Sequence, residues 1–139
     1  MGYSLNDLQL YELDTSRPLD ELIDNSYQAS SMLYDMAACL SDPHCRRWSP
    51  GLSKKLQIPF AECRLTAGRI YFRDRLVVAP DDPDIQLQVL YRTHASGPGG
   101  HPGRVKTIDL LNRSYWWPGM TVATRSFCNA CMICDKTKK

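Results

Sequence analysis

The chain has 139 residues, 43% hydrophobic and 23% charged, with 17 Lys and Arg against 15 Asp and Glu for a net charge of +2. That length supports one modest domain, or a small domain with an extension, and excludes a single large core. No apolar run approaches the roughly 20 residues that span a bilayer, and the opening MGYSLNDLQLYELDTS has neither the apolar core of a signal peptide nor, with Asn6, a complete myristoylation signal. The chain is therefore expected to be soluble and intracellular, with no membrane partner and with its six cysteines reduced.

The net charge conceals an asymmetry. Residues 1–64 carry 6 Lys and Arg against 9 Asp and Glu, a balance of −3, whereas residues 65–139 carry 11 against 6, a balance of +5. A basic C-terminal half is compatible with an anionic partner such as nucleic acid, although +5 also suits an ordinary solvated surface.

Residues 1–17 are polar with scattered Leu and Tyr, and are expected to form a flexible N-terminal segment. From Pro18, the residues Leu19, Leu22, Ile23, Ser26, Tyr27, Met32, Leu33, Met36, Ala37 and Leu40 recur on one face. This spacing predicts a helix of about 20 residues, interrupted near Ser30 and Ser31 and ended by Asp42-Pro43. Asp20, Glu21 and Asp24 sit in its first turns, where the helix dipole favours carboxylates. Residues 43–59, with three prolines and the basic pairs Arg46-Arg47 and Lys54-Lys55, read as a connector with at most short local structure. Cys39, Cys45 and Cys63 are expected to be small buried or unreactive residues. Between Cys63 and Pro80, two β-branched and aromatic runs flank Arg73-Asp74, a β-hairpin signal with Ile70, Phe72, Leu76 and Val78 on its apolar face.

The segment after Pro83 carries the chemistry. Ile85, Val89 and Leu90 form a helical stripe leading to His94, with Asp81, Asp82 and Asp84 placed to cap its start. The following ASGPGG breaks that helix before His101. Pro102 suits the first turn of a second helix, with Val105, Ile108 and Leu111 as its buried face. Tyr115-Trp116-Trp117-Pro118 precedes a third helix through Val122, Ala123, Phe127 and Ala130, and Trp116 and Trp117 are expected to fill the core. Six residues separate His94 from His101, two separate Cys131 from Cys134, and 29 lie between the pairs, which is the donor set and clip spacing of a tetrahedral zinc site. Four protein ligands would close the coordination sphere, leaving no open position for a hydrolytic water. Cys128 offers a rival CxxC with Cys131, and spacing alone leaves the thiol register open. Candidate phosphate contacts are Arg104, Lys106, Arg113, Lys136, Lys138 and Lys139.

These residues carry a family likeness. His94-x6-His101-Pro102-Gly103, Lys106-Thr107, Leu110-Leu111, Tyr115-Trp116-Trp117-Pro118-Gly119-Met120, Cys131-x2-Cys134 and Lys138, with the preceding hairpin GRIYFRDRLVVAP, resemble the HHCC zinc-binding N-terminal domain of Ty3/gypsy-type LTR retrotransposon integrases. The resemblance covers residues 65–139 specifically and residues 18–64 loosely. It selects Cys131 and Cys134 as the thiol pair and leaves Cys128 as an extra. It implies a mainly α fold with a small β-hairpin, in which a zinc-stapled three-helix bundle (83–139) follows a helix, linker and hairpin extension (18–82). It also implies a non-catalytic module with structural zinc that supports multimerisation and binds double-stranded DNA at element ends. Its partners would be other copies or other integrase domains, with host chromatin factors also in view, and its location the nucleus and the retroelement particle. The catalytic carboxylates and their Mg²⁺, which make the family's parent a polynucleotidyl transferase, are not assigned within these 139 residues. The alternative is a domesticated integrase-derived interaction module in a host complex.

Overall fold

A computed structural model describes residues 13–96 and 104–130. Six helices and a four-stranded sheet follow in the order α1 (Leu19–Ala29), α2 (Ser31–Ser41), α3 (Pro50–Leu56), β1 (Cys63–Thr66), β2 (Arg69–Phe72), β3 (Arg75–Val77), α4 (Pro83–Ser96), α5 (Arg104–Ser114), β4 (Tyr115–Trp116) and α6 (Met120–Ala130). The fold is mainly α with a small β element, as expected. Residues 1–12 of the expected flexible segment lie outside the described residues.

The predicted interruption at Ser30 divides the first helical stretch into two. Ser30 leaves helical geometry at φ −78°, ψ 122°, and its hydroxyl caps α2 by accepting from the Leu33 amide. Asp81, far along the chain, completes this cap: it accepts from the Ser30 hydroxyl, from the Met32 amide at 3.2 Å and from the Ser31 hydroxyl at 3.3 Å. Burial raises the Asp81 pKa, but the hydrogen bonds from Ser30 and Met32 outweigh it and hold the carboxyl below its ordinary value. Of the three acidic residues expected to cap α4, Asp82 does so, accepting from the Asp84 and Ile85 amides at 3.1 and 3.2 Å, while Asp81 serves α2. The carboxylates of α1 also serve tertiary structure, because Asp24 receives Arg69 of β2 at 2.8 Å.

The connector is more structured than expected. Ser49 caps the seven-residue α3, with Pro50 in its first turn, and Trp48, Leu52 and Leu56 are buried. Trp48 donates from its indole to the Ile58 carbonyl at 3.0 Å and meets the Phe60 ring edge-on at 5.0 Å. Arg46, Arg47, Lys54 and Lys55 are exposed. Cys39 and Cys45 are joined as a disulfide across a Cα separation of 5.7 Å, which corrects the expectation that both are reduced, unreactive thiols. The end of α2 and the Pro43 turn bring them together although neither lies in a cysteine motif. Burial, and then Glu62, push the Cys63 thiol up to about 11, in keeping with an unreactive residue.

The predicted hairpin forms, and the sheet extends past it on both sides. Leu76 pairs with Tyr71 and Arg75 with Phe72 across the two-residue turn Arg73-Asp74, both at positive φ (50° and 65°). A second such turn, Ala67-Gly68, adds β1, with Thr66 opposite Arg69. β1 escaped the sequence reading because, of CRLT, Leu65 alone is a large aliphatic and the strand lies at the sheet edge. On the other side β4 pairs parallel with β3, Leu76 with Tyr115 and Val77 with Trp116. Tyr27 of α1 reaches over the sheet: its hydroxyl accepts from the Ile70 amide at 3.2 Å and donates to the Val77 carbonyl.

One apolar core joins all of these elements, from Ile23 and Met36 through Ile70, Val77 and Val89 to Leu111, Trp117 and Phe127. The stripe Ile85, Val89 and Leu90 on α4 is buried as predicted, as are Ile70, Phe72, Leu76 and Val78. Val77 is also buried, so this strand is covered on both faces. On the other two helices Leu111 and Phe127 are buried as predicted, joined by residues that the sequence reading did not place in the core. α5 buries Thr107 and Leu111, with Ile108 half-buried, and α6 buries Met120, Thr124, Phe127 and Cys128 and leaves Val122 66% exposed. Among the described residues no helix is long and apolar enough to cross a membrane.

Candidate metal centre

The helices α4, α5 and α6 pack against one another pairwise, and His94, in the last turn of α4, lies where they meet. It is 1% exposed. A histidine is buried so completely only where its ring nitrogens find polar partners. Here Nδ1 is 2.9 Å from the Thr107 hydroxyl of α5, and the Cys128 sulfur of α6 lies 3.7 Å from the same nitrogen. The Phe127 ring meets the imidazole edge-on with centroids 5.8 Å apart. Each helix thus contributes to the surroundings of one imidazole, and its orientation is fixed by packing on one side and a hydrogen bond on the other.

Thr107 is fully buried and was not singled out as a site residue by the helical spacing. The signal that could have found it is the i, i+4 relation of Thr107 and Leu111, which defines a face one residue away from the Val105, Ile108, Leu111 reading. A hydroxyl on that buried face requires a polar partner, and His94 is one.

Of the other predicted ligands, His101, Cys131 and Cys134 lie outside the described residues. Among the described residues no three His, Cys, Asp or Glu side chains form a metal-holding group. α6 ends at Ala130, immediately before Cys131 in the sequence. Of the candidate phosphate contacts, Lys106 is exposed, and Arg113 forms an i, i+4 ion pair with Asp109 at 2.9 Å, with both side chains more than half exposed. Such a pair contributes little to stability but leaves Arg113 partly neutralised. Arg104 opens α5, and Lys136, Lys138 and Lys139 lie outside the described residues.

A family model described as the integrase zinc binding domain matches residues 81–139. This segment is therefore similar to the integrase zinc-binding domain. The matched span begins at the Asp81 cap and takes in α4, α5, β4 and α6, so the buried histidine and its threonine both lie inside the segment similar to the integrase zinc-binding domain. The chain is also similar to the protein named Gypsy retrotransposon integrase-like protein 1 in Rattus norvegicus, at 33% identity over 66 residues, and in Mus musculus, at 32% over 66 residues. Each alignment covers 48% of this chain and 12% of the relative, so the chain spans a small fraction of the length of the curated relatives it matches. No solved structure matches the chain.

The surroundings of His94, the one described residue of the four predicted ligands, fit a zinc ligand. In metal sites a ligating histidine characteristically gives its other ring N–H to a neighbouring acceptor, which sets the tautomer and the ring orientation. Thr107 is placed to be that acceptor for His94 Nδ1.

Proposed function

We propose that this chain is a non-catalytic, zinc-binding module of a retrotransposon integrase, one that supports integrase multimerisation and binds element-end DNA in the nucleus and the retroelement particle. The observation that carries the reading is the buried His94, held through Nδ1 by Thr107 at the meeting point of α4, α5 and α6, within a segment that matches the integrase zinc-binding domain. With Nδ1–H donated to Thr107, the imidazole lone pair sits on Nε2, and His94 Nε2, His101, Cys131 and Cys134 are the four ligands of a structural zinc. When bound, the metal supplies a covalent-strength staple between the end of α4, the start of α5 and the residues after α6. Cys128 faces the nitrogen that Thr107 holds, which supports the Cys131 and Cys134 register.

Thr107→Val should lower zinc affinity by about 10- to 100-fold, because it keeps the volume and removes the acceptor that orients His94. Competition with a colorimetric chelator measures this. An affinity equal to that of the parent would remove Thr107 from the site.

The DNA reading is tested by salt. Phosphate contacts release counterions, so binding of the zinc-loaded chain to duplex DNA should weaken steeply as salt rises, the logarithmic slope counting the contacts. A second reading, a domesticated interaction module in a host complex, is favoured by the exposed Val122 and by the neutralisation of Arg113 by Asp109. It predicts a flat salt dependence on DNA, together with concentration-dependent association in sedimentation or capture of a protein partner.

A further inference from the structure

We infer that the pocket where β3, the end of α5 and the start of α6 meet holds one backbone phosphate of DNA, with Arg75 as its cation and Asn112 and Thr121 as neutral donors. The inference rests on the DNA-binding reading above and names a contact outside the six cations that the sequence indicated.

Five of the described arginines pair with carboxylates. Arg17 meets Glu21, Arg64 meets Asp74, Arg69 meets Asp24, Arg73 meets Glu62 and Arg113 meets Asp109. Arg75 is not one of the five, and unlike the exposed Arg46, Arg47 and Arg125, or Arg92 with its bonds to Gln88 and the Arg17 carbonyl, it is partly buried without a hydrogen-bond acceptor among the described residues. Among the described residues no carboxylate lies within ion-pair distance of it, and the charge that acts on it is the like charge of Arg73. Its side chain is nevertheless half-buried, with the guanidinium 5.3 Å from the centroid of the Phe72 ring. Burial first, and then Arg73, hold its pKa below the ordinary guanidinium value. A partly desolvated cation without a carboxylate partner is unfavourable until an anion arrives, and an aromatic face compensates it only in part.

The space beside Arg75 suits such an anion. A cavity of about 340 Å³ is lined by Arg75, Asn112, Trp116, Trp117, Thr121 and Val122, among others, with no Asp or Glu in its wall. The absence of acidic groups from the wall disfavours a metal cation or an amine. Arginine with Asn and Thr is the donor set that proteins direct at phosphate oxygens, and the apolar walls offered by Trp116 and Val122 suit the flanking deoxyribose. A strand of DNA, rather than free phosphate, is indicated by Arg125. That residue is exposed, lies one helical turn beyond Thr121 on the same face of α6, and has no carboxylate partner among the described residues, so positive charge continues outward from the pocket. β3 belongs to the region before the segment similar to the integrase zinc-binding domain and α6 to that segment, and the phosphate would be gripped by both.

The test uses the whole zinc-loaded chain, a short mixed-sequence duplex and a salt titration, with zinc content and circular dichroism as controls. Arg75→Gln should bind about tenfold more weakly at low salt and reduce the salt slope by about one. Thr121→Ala should weaken binding by about threefold without changing the slope. A parent that binds steeply while Arg75→Gln matches it in affinity and slope overturns the phosphate pocket alone. A parent with no salt-dependent binding overturns the DNA reading, and the pocket with it. Should Arg75→Gln lose helicity, Asn112→Ala and Thr121→Ala decide from the other walls, and parental affinity in both sinks the proposal. Inorganic phosphate that protects the parent but not Arg75→Gln from thermal unfolding, with DNA binding unchanged between them, would assign the pocket to a free anion and overturn the strand as its occupant.

Discussion

Removing zinc from the metal-loaded protein should collapse the helical signal of residues 84–139. Structural zinc in small domains contributes an apparent ~10–16 kcal/mol, comparable to or larger than the whole stability of an ordinary domain. The reason here is specific to where His94 sits. It is 1% exposed, and an imidazole in that position without its metal leaves a polar ring in the centre of three helices. α4, α5 and α6 share their core with the sheet, so the loss should spread to the pairing of β3 with β4. Far-ultraviolet circular dichroism with elemental analysis, before and after chelation, measures the effect. Full helicity and an unchanged melting temperature in metal-free protein would end the structural-zinc assignment. Replacing His101 or Cys131 by Ser should have the same outcome as chelation, whereas Cys128→Ser should retain one zinc per chain, since its sulfur lies 3.7 Å from Nδ1 beside Thr107. Equal zinc loss from all three variants would mean a different ligand register.

Trp117→Ala should destabilise the zinc-loaded protein by about 3–5 kcal/mol. Trp117 is 1% exposed and belongs to the central core, in the short connection between β4 and α6. Its carbonyl accepts the Met120 amide at 3.1 Å, so the residue both fills the core and starts the helix that leads to the cysteine pair. Truncation leaves a cavity that the sheet on one side and the helices on the other cannot close together. Urea denaturation of the zinc-loaded protein gives the number. The neighbouring Trp116 provides the contrast: it is half-buried, edge-on to Phe72 at 5.3 Å, and its replacement by Ala should be the milder of the two. Equal losses at both positions would show that the core does not centre on Trp117.

Much of the fold was legible because its signals are local. The Ser30 interruption is a capping residue inside an apolar period, the Arg73-Asp74 turn lies between two strand-like runs, and Ile85, Val89 and Leu90 mark α4 by spacing alone. Errors arose where a local pattern admitted two answers. On α5 the period of three through Val105, Ile108 and Leu111 and the period of four through Thr107 and Leu111 share an endpoint, and packing against His94 selects the second. On α6, Val122 is as apolar as any core residue, yet it lies on the side away from Thr124 and Phe127 and remains exposed. The connector illustrates a different limit. Trp48, Leu52 and Leu56 are too few to make a convincing period, and they enter the core because α3 has a surface to pack upon.

The sequence by itself pointed to His94, His101 and a CxxC pair as candidate zinc ligands, and it determined the three helices of the zinc half and the hairpin before them, since spacing and periodicity are properties of neighbouring residues. The tertiary structure decided which groups act across distance. It set Asp81 on the cap of α2, joined Cys39 to Cys45, paired β3 with β4, placed Thr107 on the His94 ring and left Arg75 without a carboxylate beside a cavity of about 340 Å³. Each of these depends on residues brought together by burial of a shared core, and the energy of such contacts depends on exclusion of water, a condition set by the packed chain as a whole.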